Sequence, residues 1–134
     1  MIGSYDDKKE KILIASMKVF AKYGYHKTTL DDIANQLNIK KNSLYYYFPN
    51  KESIFNEIII AQRQNLIETL QKEIKKHGST EHKLKSFLKK LIYYSSERAS
   101  LYSISFEVFK EIGEIIEASY KEFKTSVRLL FESI

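Results

Sequence analysis

The sequence of 134 residues contains no cysteine, no tryptophan, one proline and four glycines. Without cysteine the chain forms neither a disulfide scaffold nor a thiolate metal site, and it has no thiol nucleophile. Its first residues lack the apolar stretch of a signal peptide, and no apolar run approaches the ~18 residues that a membrane span needs. We therefore expect a soluble, cytoplasmic protein. The scarcity of glycine and proline favours an all-α fold.

The positive charge of the chain is concentrated at its N-terminal end. Residues 1–51 carry nine lysines against Glu10 and four aspartates, a net charge of +4. The remaining 83 residues carry 13 lysines and arginines against 12 glutamates, a net charge of +1. A basic end joined to a balanced body indicates an anionic partner, either nucleic acid or a membrane surface. Ordinary protein surfaces carry similar charge, so on charge alone an ordinary solvated surface is an equally good interpretation.

Apolar residues recur at helical spacing along most of the chain, and the pattern predicts seven helices. The predicted interruptions lie at Gly24, Pro49, residues 78–80, residues 99–100 and Gly113. The fourth helix is the longest, because Asn50 is placed to cap a helix that starts at Lys51 and ends near His77. No segment shows sustained alternation of the β type.

Residues 30–49 have the spacing of a helix-turn-helix. Ala34 lets two short helices approach closely, and Asn38 follows in a turn where a positive φ is usual. We expect Ile39 to be buried and Leu44 to pack the second helix against the first. Such a pair places its second helix in a DNA major groove, although spacing alone also fits a helical hairpin inside a bundle. The exposed residues of the second helix would be Lys40, Lys41, Asn42, Ser43 and Tyr46.

The run LYYYFPNKES at residues 44–53 is the most specific motif in the chain. Together with Gly24-Tyr25, Thr28-Thr29 and Ile33-Ala34, it makes residues 11–55 resemble the DNA-binding domain of the tetracycline-repressor (TetR/AcrR) family of bacterial transcriptional regulators. The resemblance covers about a third of the chain and implies a transcriptional regulator, most simply a repressor.

Three positions depart from the family pattern. Asn38 stands where the family often has glycine, Lys40 where it often has a capping serine, and Asn42 where it often has a small residue. The missing hydroxyl at Lys40 should weaken the start of the second helix by ~1 kcal/mol. Because the same changes place a cation and an amide beside the DNA, we interpret them as an altered operator preference.

The resemblance implies two kinds of DNA contact. Base edges would be approached by Lys41, Asn42, Ser43 and Tyr46, with Lys40 adding positive charge beside them. Phosphates would be bound by Thr28, Thr29, Tyr45, Tyr47 and Lys51. Tyr45 and Phe48 also fit a core, which we prefer for Phe48. Lys51 also fits a solvated helix start, but a cation there opposes the helix dipole, and a phosphate within reach would explain it.

For the rest of the chain the resemblance implies a homodimer that is released from a palindromic operator by a small-molecule effector. Residues 6–50 would form the DNA-binding domain and residues 51–134 a helical regulatory domain. Candidate effector-binding residues are Tyr93, Tyr94, Arg98, Tyr102, Phe106, Phe109, Tyr120 and Phe123. Ordinary helical core is the alternative for the aromatic residues, and a surface position is the alternative for Arg98. The family usually continues for further helices, so the regulatory domain would be incomplete after the seventh.

No catalytic, metal or cofactor site is predicted. His26, His77 and His82 do not share a face with carboxylates at ligand spacing, and the chain has no nucleophile motif or glycine-rich phosphate loop. Four glutamates recur at helical intervals between residues 107 and 117, where a solvated face is preferred over a metal site. The remaining alternative is a DNA-binding or protein-interaction module without ligand sensing. A membrane-surface role is disfavoured, because the basic positions do not follow one long amphipathic helix.

Overall fold

The computed structural model describes residues 4–101 and 106–134. Within these ranges the chain is all-α, as predicted, and forms six helices. They are α1 (Ser4–Tyr23), α2 (Leu30–Leu37), α3 (Lys41–Tyr45), α4 (Lys51–Lys75), α5 (Thr80–Leu101) and α6 (Phe106–Glu132). None of the described helices is both long and apolar enough to cross a membrane.

Helix α6 is longer than the sequence pattern predicts. It continues through Gly113, so the predicted break at this residue is wrong. A glycine inside a helix costs about 1 kcal/mol relative to alanine, and the packing of the apolar face of α6 outweighs that cost. Ile112 is buried next to the glycine, and Phe123 and Leu130 pack into a core further along the helix. The interruption expected around residues 99–100 falls slightly later, since α5 extends to Leu101 and α6 begins at Phe106.

The first hydrophobic core joins α1, α2, α3 and the first half of α4. Its largest members are aromatic: the Phe20 and Phe55 rings are nearly perpendicular with centroids 5.3 Å apart, and Tyr25 stacks on Phe20 at 5.7 Å. Gly24 follows α1 with φ 80°, which a side chain rarely tolerates, and this reversal returns Tyr25 to the core. Phe48 is buried in the same core, which confirms our preferred interpretation of that residue.

The second core lies between α5, α6 and the later turns of α4. Its buried members are Leu66 and Leu70 of α4 and Phe87 of α5, and the apolar face of α6 packs against them. Because Ile54, Phe55, Ile58 and Ile59 belong to the first core, α4 supplies buried residues to both. The division of the chain at residue 50 into two domains stays a prediction.

Candidate nucleic-acid interface

The turn between α2 and α3 has the geometry expected of a helix-turn-helix. Asn38 adopts φ 55° and ψ 43°, so the predicted positive φ is confirmed. The N–H groups of Asn38 and Ile39 donate to the carbonyls of Asn35 and Ala34 at 3.1 and 3.0 Å, which closes α2. Ala34 and Leu44 are buried where the two helices meet. Ile39, predicted to be buried, is instead 36% exposed, because it lies at the surface groove beside α1.

The start of α2 is fixed by a reciprocal capping box. The Thr29 hydroxyl accepts from the Asp32 N–H at 3.2 Å, and the Asp32 carboxylate accepts from the Thr29 N–H at 2.9 Å. Thr28 has a different environment, since its side chain is 1% exposed and its hydroxyl donates to the Gly24 carbonyl at 2.7 Å. Thr29 is therefore at the surface, whereas the Thr28 hydroxyl holds the loop between α1 and α2.

Helix α3 is short and buries a single residue, Leu44. Its cap, Lys40, has extended backbone and makes no capping hydrogen bond with its side chain, as expected when serine is replaced there. The helix and the residue after it expose five side chains: Lys41, Asn42, Ser43, Tyr45 and Tyr46. Tyr46 is 73% exposed, and Tyr45 is 46% exposed, so Tyr45 is not a core residue.

Two of these exposed side chains have neighbours that orient them. The Lys41 ammonium lies 3.6 Å from the Asp31 carboxylate and 5.9 Å from the centroid of the Tyr45 ring. The Tyr46 ring meets the Tyr47 ring edge-on at 5.1 Å, and Tyr47 packs against the first core. Tyr47 is thus half-buried, and its ring contacts both the Tyr46 ring and the first core.

Lys51 is bound within the chain. Its ammonium donates to the carbonyls of Tyr25, His26 and Thr28 at 2.9, 3.0 and 3.2 Å, and it lies 4.5 Å from the centroid of the Tyr25 ring. An ammonium has three N–H donors, and each has an acceptor here. These contacts explain a cation at a helix start without a phosphate. They attach the first turn of α4 to the loop that leads into α2.

A groove of about 480 Å³ separates the first turns of α1 from the helix-turn-helix. Lys8 and Lys11 lie along one side of it, and Ser43 and Tyr46 lie along the other. Sequence reasoning did not assign Lys8 or Lys11 to the interface. Their three-residue spacing on α1 was the available signal, but only the packing of α1 shows which side of the helix faces α3. The predicted DNA-facing residues of α3 therefore share a surface with two further lysines.

Residues 12–58 match the family model described as "Bacterial regulatory proteins, tetR family". The matched residues run from α1 through the turn and α3 into α4, the part of the chain that forms the first core and the groove. The matched segment is similar to the helix-turn-helix DNA-binding domain of TetR-family transcriptional regulators.

Curated proteins similar to this segment include two staphylococcal negative regulators. The "Biofilm operon icaADBC HTH-type negative transcriptional regulator IcaR" of Staphylococcus aureus (strain Newman) is 49% identical over 51 residues, which are 38% of this chain and 27% of that protein. The protein of the same name from Staphylococcus epidermidis is 47% identical over 51 residues, 38% of this chain and 28% of that protein. The likeness thus spans about a quarter of each relative.

A solved structure extends the likeness of fold beyond the matched segment. A Shewanella sp. PV-4 protein assigned to the tetR family of transcription regulators superposes with a TM-score of 0.63 over 90% of this chain and 67% of its own. At 20% sequence identity this shows a shared fold and no more. The shared fold therefore includes the later helices of this chain.

The structure brings together three of the eight candidate effector-binding residues. The ring of Phe123 lies 6.2 Å from that of Tyr94 and 6.4 Å from that of Tyr120. Tyr93 is 65% exposed on the outer side of α5, away from this group. Tyr102 lies outside the described residues, as do the side chains of Arg98, Phe106 and Phe109.

Sequence reasoning missed the cation beside these rings, Arg63 of α4. Its guanidinium lies 5.3 Å from the Tyr120 ring centroid and 5.4 Å from that of Phe123, and its Nη1 donates to the Ser119 hydroxyl at 2.9 Å. Burial lowers the pKa of Arg63, and the Tyr94 and Tyr120 side chains oppose that change. No local motif marks the residue, because its partners lie on α5 and α6.

Proposed function

We propose that the chain is a TetR-type repressor that binds a palindromic operator as a homodimer and is released by a small-molecule effector. The observation that carries the proposal is a helix-turn-helix whose second helix buries Leu44 alone and exposes its remaining side chains. A helix of this kind can enter a major groove without unfolding any part of the core. The staphylococcal relatives are named as negative regulators, which supports repression.

The proposed DNA contacts follow from exposure. Lys41, Asn42, Ser43 and Tyr46 present donors, acceptors and a ring to base edges, and asparagine pairs well with adenine. Phosphates are bound by Thr29, Tyr45, Tyr47 and Lys40, which surround that helix. Thr28 and Lys51 do not belong to this set, because their polar groups have partners within the chain.

The lysines of the groove extend the proposed interface. Lys8 and Lys11 continue the positive surface from α3 along α1, and neither forms an ion pair with any residue that the structure describes. Ammonium groups beside a major groove neutralise phosphates and release counterions, so they add affinity without sequence preference. Residues 6–50 are then the DNA-binding domain and residues 51–134 the regulatory domain.

Footprinting on the DNA upstream of the protein's own gene tests the proposal. We expect two protected half-sites related by two-fold symmetry, with centres about one helical turn apart or a multiple of it. Added extract of the source cells should weaken the protection if an effector is present. Protection of one half-site only would contradict the dimer, and protection without sequence preference would contradict an operator. Protection that no extract or metabolite changes would favour a DNA-binding module without ligand sensing.

A further inference from the structure

Arg63 is a partly desolvated cation that has no carboxylate partner within the described part of the chain. Its acceptors are the hydroxyl groups of Ser119 and Tyr94, and the faces of two aromatic rings lie against it. A guanidinium carries five N–H donors in a planar fork that matches a carboxylate. Two hydroxyl acceptors therefore leave some of the five N–H donors unused within the described part of the chain. Burial has already removed part of the water that would otherwise hydrate the guanidinium.

A cavity adjoins this side chain. It measures about 180 Å³ and lies between α4 and α6. Arg63, Ser119 and Ser126 give it a polar wall, and Ile60, Ile67 and Phe123 give it an apolar wall. Glu122 also borders it, but this carboxylate is exposed to solvent, which screens its repulsion of an anion. The volume is smaller than that of sites for drug-sized ligands, and it suits a single ring or a short chain.

We propose that this cavity binds a small organic carboxylate, with the carboxylate on the Arg63 guanidinium and the apolar part of the ligand against Ile60, Ile67 and Phe123. The bidentate pairing supplies the missing counter-charge, and the apolar wall selects against inorganic anions. Such a ligand contacts α4 and α6 together. Its role as the effector rests on the proposed function, but its binding does not.

Benzoate and its neutral isostere benzamide are suitable probes, because they differ mainly in charge. We expect millimolar benzoate to raise the Tm of the full chain without DNA and to shift the tyrosine and phenylalanine ring signals in NMR spectra. Benzamide should bind at least tenfold more weakly. Equal binding of the two compounds would overturn the proposal, since an aromatic ring alone would then explain it. Absence of benzoate binding, together with absence of binding by acetate and butyrate, would overturn it as well.

Two variants locate the site. Arg63→Met should weaken benzoate binding at least tenfold, whereas the matched control Arg128→Met, which removes an exposed arginine of α6, should not change it. Because Arg63→Met also removes the contact with Ser119, Ser126→Phe provides a second test that keeps Arg63 and fills the cavity. Unchanged binding in Ser126→Phe would place the ligand elsewhere and overturn the proposal. Binding of benzoate without any effect on the operator footprint would contradict the effector role and leave the site intact.

Discussion

Lys51 and Arg63 are both cations of α4, but they differ in the acceptors that surround them. The three N–H groups of Lys51 reach three carbonyl oxygens of one loop, so its hydrogen bonds are complete. Arg63 has hydroxyl acceptors and ring faces instead. Charge-assisted hydrogen bonds to carbonyls are strong and directional, so Lys51 fixes the position of the loop that leads into α2.

Replacement of Lys51 separates this positioning role from a phosphate contact. We expect Lys51→Met to lower the free energy of unfolding by about 1–3 kcal/mol, since it leaves three carbonyls without their donor. DNA affinity should fall equally on operator and random sequence, while the slope of log K against log salt concentration stays at the wild-type value. Fluorescence anisotropy over a salt series measures both.

The control for this experiment is Lys40→Met, which removes an exposed cation at the N-cap of α3 that we assign to a phosphate. A lysine that neutralises a phosphate contributes about one unit to the salt slope, so the control should lose about that amount. An equal loss of slope in Lys51→Met would return Lys51 to the phosphate contacts that the sequence resemblance implied.

At the scale of the helices, the features that nearby residues determine could be predicted from the sequence, and the features that tertiary contacts determine could not. The capping box of Thr29, the left-handed Asn38 and the cap of α4 at Asn50, whose side chain accepts from the Ser53 N–H at 2.8 Å, involve residues at most three apart. Such features can be read from sequence. The burial of Thr28, the acceptors of Lys51 and the ring contacts of Arg63 depend on residues that are 9 to 60 positions away, and periodicity carries no information about them.

The uncapped start of α3 predicts a stabilising substitution. In Lys40→Ser a hydroxyl can accept from a backbone N–H of the first turn, a contact that the Lys40 side chain does not make, and this should raise the free energy of unfolding by about 1 kcal/mol. Lys40→Ala removes the same charge without providing a cap, so it is the matched control. Urea unfolding monitored by circular dichroism gives both midpoints. Identical midpoints for the serine and alanine variants would show that the cap contributes nothing here.

The continuous α6 predicts a second stabilising substitution. A Cβ at Gly113 would meet no atom within 4 Å, and the residue is helical, so Gly113→Ala should add about 0.5–1 kcal/mol of stability. Gly24→Ala should have the opposite effect, because φ 80° strains an L side chain. Thermal unfolding of the two variants compares them directly. A destabilised Gly113→Ala would indicate that the helix does break at this glycine, as the sequence pattern alone suggested.

At the scale of the whole molecule, α4 is the element on which both cores depend. Ile54, Phe55 and Ile58 pack below the helix-turn-helix, and Leu66 and Leu70 pack between α5 and α6. Ile112 of α6 reaches the first core as well, which gives a second connection between the two ends of the molecule. Loss of α4 would therefore expose both cores, and we expect the two cores to unfold together.

Leu70→Ala tests whether the cores unfold together. Leu70 is fully buried in the second core, and its truncation should cost about 2–5 kcal/mol. If α4 couples the cores, amide hydrogen exchange should accelerate in residues 30–48 by the same free energy as in residues 84–91, because both exchange through global unfolding. The control Leu129→Ala, at an exposed position of α6, should change neither region. Acceleration confined to residues 84–91 would contradict the coupling and would instead support two independent units divided near residue 50. In that case an effector could not act on the helix-turn-helix through shared stability, and its effect would have to be carried by a rigid displacement of α4.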